Sequence, residues 1–147
     1  MNITLNFPDG NSVTEPDLQL IEALLAQPQD FFVPWGCGEV SIDYQTNLVK
    51  SLLGIRYRYN CGFSFEWCEM LEGTSSYGPS YISCRASEPG EPVELSIGGS
   101  PAILPSRSFM AKAQAGSLIA NFLTTGYKPE LVDWSPAESI PSFAYRL

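Results

Sequence analysis

Glu66, Glu69 and Glu72 form a dense set of carboxylates in this chain. Paired carboxylates can run glycoside hydrolysis, one as general acid and the other as base or nucleophile. Such an enzyme usually needs a larger scaffold with a substrate cleft, and Glu66 has a candidate cationic partner in Arg56. Cys37, Cys61, Cys68 and Cys84 are the other reactive side chains, and the chain contains no histidine. Without histidine there is no Ser-His or Cys-His nucleophile pair, and most catalytic metal sites lose their usual ligand. The cysteine spacings lack the paired knuckles of a structural zinc site, so free and mostly buried thiols are the expectation. Phosphate-cradling and dinucleotide-binding glycine motifs are also missing. These residues point to a binding protein rather than an enzyme, with no cofactor and no metal.

Charge indicates what such a protein would bind. The net charge is −8. Residues 1–49 hold seven acids and no lysine or arginine, and residues 66–94 hold six glutamates against one arginine. This distribution repels nucleic acid and attracts basic partners. Arg56, Tyr57, Arg58 and Tyr59 interleave cations with aromatics, the residue types of a single-strand-binding surface, but on a strand the arginines and tyrosines point to opposite faces. Nucleic acid is therefore not the expected partner. The chain has no apolar run long enough for a membrane span. Its opening, MNITLNFPDG, has neither a basic leader nor an apolar signal core. The expectation is a cytoplasmic protein. A length of 147 residues suits one domain over 1–147, a size that buries roughly 70% of the unfolded surface.

The elements that must position these groups follow from periodicity. Ile3, Leu5 and Phe7 alternate as a first strand, and Pro8 to Asn11 is a turn. Thr14-Glu15-Pro16-Asp17 opens a helix with Thr14 as the capping hydroxyl. Leu18, Ile21, Leu24 and Leu25 give that helix its buried stripe, and it ends near Pro28. Phe31 to Trp35 suits a short aromatic strand. Val40, Ile42 and Tyr44 alternate with Ser41 and Asp43. Residues 72–80 form a loop around Tyr77. Tyr81 to Arg85 and Val93 to Ile97 suit paired antiparallel strands joined by the acidic turn Glu88 to Pro92.

The clearest hairpin is Ile55 to Trp67. With Asn60-Cys61-Gly62 as its loop, Tyr59 pairs with Phe63, Tyr57 with Phe65 and Ile55 with Trp67. The opposite face then pairs Arg58 with Ser64 and Arg56 with Glu66. A slip of one residue would turn three large aromatics into water.

The last third, Leu104 to Trp134, reads as strand end, helix, stop and strand. Pro105 breaks the preceding strand, and Ser106 or Ser108 caps the helix. Phe109, Ala113, Leu118, Ile119, Ala120, Phe122 and Leu123 recur at helical spacing. Gly116 permits close packing, Gly126 stops the helix, and Pro129 prevents its continuation. Leu131, Val132 and Trp134 suit a short strand. The fold class is α+β: a mostly antiparallel β-sheet with an N-terminal and a C-terminal helix packed against it.

Phe122, Leu123, Thr125, Gly126, Pro129, Val132 and Trp134 form a pattern in which a helix ends in a phenylalanine–leucine–threonine–glycine run. A proline and a valine–x–tryptophan strand follow. This pattern resembles the C-terminal signature of the immunity-protein family paired with deaminase toxins in bacterial polymorphic toxin systems. The strand Glu39 to Tyr44, the aromatic strand Phe63 to Trp67 and the Tyr/Gly/Ser loop agree in order. Leu104-Pro105-Ser106 departs from the valine–proline start of that signature.

The resemblance implies an antitoxin that binds a cognate toxin domain and blocks its active site or nucleic-acid groove. The implied partner is a basic, zinc-dependent deaminase, whose pocket must admit an extruded or single-stranded base. Two alternatives stay open: immunity to another basic toxin such as a nuclease, and a non-toxin acidic protein-binding module. The helix–tryptophan unit is expected to be mostly core, leaving partner contacts to acidic and aromatic loops. The expected interface residues are Glu66, Glu69, Glu72, Tyr77, Tyr81, Glu88 and Glu91, with Asp43 and Trp35 next.

Overall fold

Alternating apolar side chains dictate one buried face for each strand, and the sheet is built on that rule. A computed structural model of the chain describes residues 2–32, 39–70, 77–85, 91–97 and 100–139. The strands are β1 (Asn2–Asn6), β2 (Ser12–Thr14), β3 (Glu39–Gln45), β4 (Lys50–Arg58), β5 (Gly62–Met70), β6 (Tyr77–Cys84), β7 (Pro92–Ile97), β8 (Ser100–Pro105), β9 (Phe109–Met110) and β10 (Asp133–Pro136). The helices are α1 (Leu18–Ala26), α2 (Pro28–Phe31) and α3 (Lys112–Thr125). Short 3-10 turns occupy Ser106–Ser108 and Ala137–Ser139.

The main sheet runs β10-β6-β5-β4-β3-β1-β2, with β9 added beside β5. Its pairings are antiparallel. β7 and β8 form a separate antiparallel ribbon. The class is α+β with a mostly antiparallel sheet. The helices do not stand at the chain ends: α1 follows two strands, and α3 lies between β9 and β10.

One face of the sheet meets the helices. Ile21, Leu24 and Leu25 of α1 and Ala115, Leu118, Ile119 and Phe122 of α3 share a core with Leu5, Ile42, Leu53, Ile55 and Phe65. Each large side chain fully buried there contributes about 1.5–3 kcal/mol. A second cluster joins Leu95, Ala102 and Leu104 of the ribbon to Phe109.

Several boundaries differ from the expectations. The cap of α1 is Asp17, whose carboxylate accepts from the Leu20 amide at 2.8 Å, while Thr14 belongs to β2. Both residue types cap helices, and strand pairing with Thr4 takes Thr14 away. Leu18 is 64% exposed, so the buried stripe begins at Ile21. Phe31 ends α2 rather than opening a strand, because Pro28 sits in the first turn of a new helix, where its missing N–H costs nothing. Neither Ser106 nor Ser108 caps α3, which starts at Lys112 with Ala111 at its cap position. Ser108 is buried instead, donating to the Pro105 carbonyl at 2.8 Å. Phe109 lies in β9, and Ala113 and Ala120 are exposed. The strands at 81–85 and 93–97 do not pair with each other, because β6 lies between β5 and β10 while β7 pairs with β8.

The central hairpin keeps its predicted faces but shifts its partners by two residues. Tyr57 pairs with Phe63, Ile55 with Phe65 and Leu53 with Trp67. A two-residue shift preserves every face, so hydrophobic alternation cannot distinguish the two registers. The turn makes the choice. Tyr59, Asn60 and Cys61 form it, with Asn60 at φ 67° and the Cys61 amide donating to the Arg58 carbonyl at 2.9 Å. Tyr59 is therefore 68% exposed at the tip.

Gly126 ends α3 in the left-handed region at φ 71°. A Cβ there would clash with the ring of Tyr44 on β3, within 3 Å of three of its carbons. Its carbonyl accepts from Ser51 Oγ at 2.5 Å and from Trp67 Nε1 at 3.3 Å. At Gly116, by contrast, an added Cβ would meet Leu25 Cδ1 at 3.5 Å, an ordinary contact. Gly116→Ala should therefore raise unfolding free energy by about 1 kcal/mol through helix propensity. Gly126→Ala should lower it by about 2–5 kcal/mol, combining backbone strain with overpacking. Urea unfolding of both variants measures these opposite signs.

Candidate functional site

The expected interface residues do not form one patch. Trp35, Glu72 and Glu88 lie outside the described residues. Glu66 and Glu69 are three residues apart on β5, and an odd offset on a strand sends side chains to opposite faces. Glu66 lies on the face away from the helices. There it binds Arg56 Nη2, while Glu39 Oε2 accepts from Arg56 Nε at 3.0 Å. Arg56 is only 3% exposed, whereas its two carboxylate partners keep partial contact with water. Gly54, paired with Glu66, leaves space that the Glu39 carboxylate occupies. Strand alternation thus places two carboxylates around one guanidinium and leaves an excess negative charge.

Asp43 lies on the same face as Glu66 and accepts from Asn6 Nδ2 at 2.9 Å. It lines a recess of about 520 Å³ together with Thr4, Gln45 and Lys50. The backbone of Tyr77 opens β6 opposite Met70. Glu91 is exposed just before the ribbon, and its carbonyl accepts from the Ser106 amide at 2.7 Å.

The fold does bring Glu69 and Tyr81 together. They line a cleft of about 410 Å³ with Trp67, Tyr127, Lys128 and Glu130. Pairing of β5 with β6 sets Trp67 opposite Tyr81, and their ring centroids are 6.3 Å apart. Pairing of Ser51 with Glu69 places Glu69 on the helix side, since Ser51 reaches Gly126 there. The loop after α3 supplies the remaining wall. Lys128 Nζ lies 3.9 Å from the Tyr81 ring centroid and 6.0 Å from that of Trp67. The carbonyl of buried Pro129 accepts from Trp134 Nε1 at 2.6 Å, fixing the far end of the loop. Glu69 and Glu130 are exposed, and Tyr127 is 56% exposed.

Sequence reasoning missed Trp67, Tyr127, Lys128 and Glu130 as site residues. Trp67 was legible as a core aromatic, and Tyr127-Lys128-Pro129-Glu130 as a helix stop. The run of aromatic, cation and acid within four positions was the available signal. Among the described residues no three His, Cys, Asp or Glu side chains converge as a metal site. None of their helices is long and apolar enough to cross a membrane. Compared with known proteins, the chain matches no family model and no curated sequence.

Cys61, Cys68 and Cys84 are free thiols. Burial pushes Cys68 from 9.0 up to about 11, with the negative charge of Glu66 adding to the effect. Raising a thiol's pKa in the folded state favours the protonated form that the fold holds. This stability contribution is therefore complete below pH 9 and is lost as pH rises from 9 towards 11. Unfolding free energy should fall across that window by up to about 1.4 kcal/mol per pH unit. Cys68→Ser should flatten the decline, as read from urea midpoints at each pH.

Proposed function

We propose that this chain is an immunity protein, a binding module that occludes a basic toxin domain inside the producing cell. The observation that carries the reading is the cleft on the helix side. Half-exposed aromatics stand beside acidic side chains there, the arrangement that tight protein interfaces use for anchoring. Exposed Leu131 follows the cleft loop. Exposed Leu48 lies in the β3–β4 turn, just before the Ser51 that contacts Gly126. The net charge of −8 supports encounter with a cationic partner. The resemblance over residues 104–134 supports the toxin class, a zinc-dependent deaminase acting on bases. On this reading the protein imitates the charge of the nucleic acid that the toxin would bind, and it needs no catalytic group of its own.

The Arg56 cluster suits a different role within the same reading. Its charges are already partnered, so it contributes long-range field more than new contacts. Glu69 and Glu130 have no ion pair within 4.0 Å among the described residues and can form new ones with a partner.

Co-expression with a candidate basic deaminase toxin domain, sought first in the neighbouring gene, tests the proposal. The expected result is rescue of growth and a stable complex purified through a tag on this chain. Absence of both would sink the immunity reading. The double variant Glu69→Lys, Glu130→Lys should bind the toxin domain at least about tenfold more weakly, with the loss concentrated at low salt. Its thermal midpoint should stay near that of the parent. Unchanged affinity would remove this cleft from the interface.

A further inference from the structure

We infer that the cleft of Trp67, Tyr81 and Tyr127 is a receptor for an arginine side chain of the partner, and that Lys128 fills it in the free protein. The inference rests on the reading of this chain as a protein-binding module, and it specifies the chemistry of the contact. The Tyr81 ring presents its face to a cation, since Lys128 Nζ lies 3.9 Å from its centroid. The Trp67 ring flanks the same position at 6.0 Å. Aromatic faces attract cations through the ring quadrupole, and tryptophan and tyrosine do so strongly. Glu69 and Glu130 line the same cleft. With one lysine and two carboxylates in its lining, the cleft is negative overall.

Three features make Lys128 a displaceable occupant. Among the described residues it has no carboxylate within 4.0 Å. Its position is half-buried, on a loop outside any helix or strand. Its four-carbon stem lets the ammonium swing into water while the loop backbone stays fixed by Gly126 and Pro129. A guanidinium suits the vacated space better than an ammonium. It is planar, stacks on aromatic faces, and carries a fork of donors that can reach carboxylates at the rim. The partner contact is thus an exchange of one cation for another, so the cleft is never left as an uncompensated pair of acids.

The test titrates N-acetyl-arginine amide into the full chain while following the Trp67 indole N–H by NMR, with Trp67→Phe supplying the assignment. N-acetyl-citrulline amide is the neutral control of equal shape. Lys128→Ala should bind the arginine probe several-fold more tightly than the parent, and neither protein should respond to citrulline. Tyr81→Phe should retain binding because the ring face remains. Tyr81→Leu, of similar apolar character, should lose it. No saturable shift in the Lys128→Ala protein, or an equal response to citrulline, would overturn the inference. The probe does not involve the toxin, so the two proposals fail separately. Arginine binding without rescue in cells keeps the receptor and discards immunity. Rescue without arginine binding does the reverse.

Discussion

The carbonyl of Gly126 is the point on which the helix side of this molecule depends. A helix end leaves its last carbonyls without partners, and a buried one must find donors. Here the donors come from the sheet: Ser51 on β4 and Trp67 on β5, 75 and 59 residues away in sequence. Tyr44 on β3 closes over the glycine and directs its hydroxyl to the Thr124 carbonyl at 3.4 Å. Three adjacent strands therefore hold one end of α3. Glycine is required because the chain turns left-handed and has no room for a side chain.

The same constraint creates the cleft. Once Gly126 is held against Trp67, residues 127–132 must cross to β10, which pairs with β6. Tyr81 lies on β6, and the loop passes beside it. The Trp134 indole N–H holds the Pro129 carbonyl at the other end of the crossing. Lys128 stands between these two anchors, over the Tyr81 ring. The motif from Phe122 to Trp134 therefore has a structural account for most of its members. Phe122 is core, Gly126 is the sheet-bound stop, and Pro129 and Trp134 fix the loop. The side chains left outward between them, Tyr127 and Glu130, are available for contact.

The two sides of β5 divide the acids by role. On the outer side Arg56 draws Glu39 and Glu66 together, and removing one member of a buried ion cluster is costly. That favours a role in keeping β3, β4 and β5 in register. On the helix side Glu69 faces an aromatic cleft with solvent access. A carboxylate three positions along a strand has changed environment entirely, which a linear count of acids cannot show.

Much of the architecture was legible from local pattern. The alternation of Ile3 with Leu5, and of Val40, Ile42 and Tyr44, determined which faces are buried. The helical spacing of Leu118, Ile119 and Phe122 and the stop at Gly126 determined α3 and its end. The Arg56–Glu66 pair was legible too, although it forms diagonally. The hairpin register was not, because a two-residue shift leaves the pattern unchanged and only the turn at Asn60 breaks the tie. Helix caps were ambiguous because Thr14, Asp17, Ser106 and Ser108 are all capable residue types. Their use depends on which strand or turn claims them first. The site was the least legible part, since Glu69, Tyr81 and Lys128 come from two strands and a loop. Sequence by itself determined the class of fold, the acidic balance and the lack of histidine chemistry, because these depend on residue type and local period. Only tertiary structure decided which acids are already paired and which aromatics meet a cation, because those contacts join residues distant along the chain.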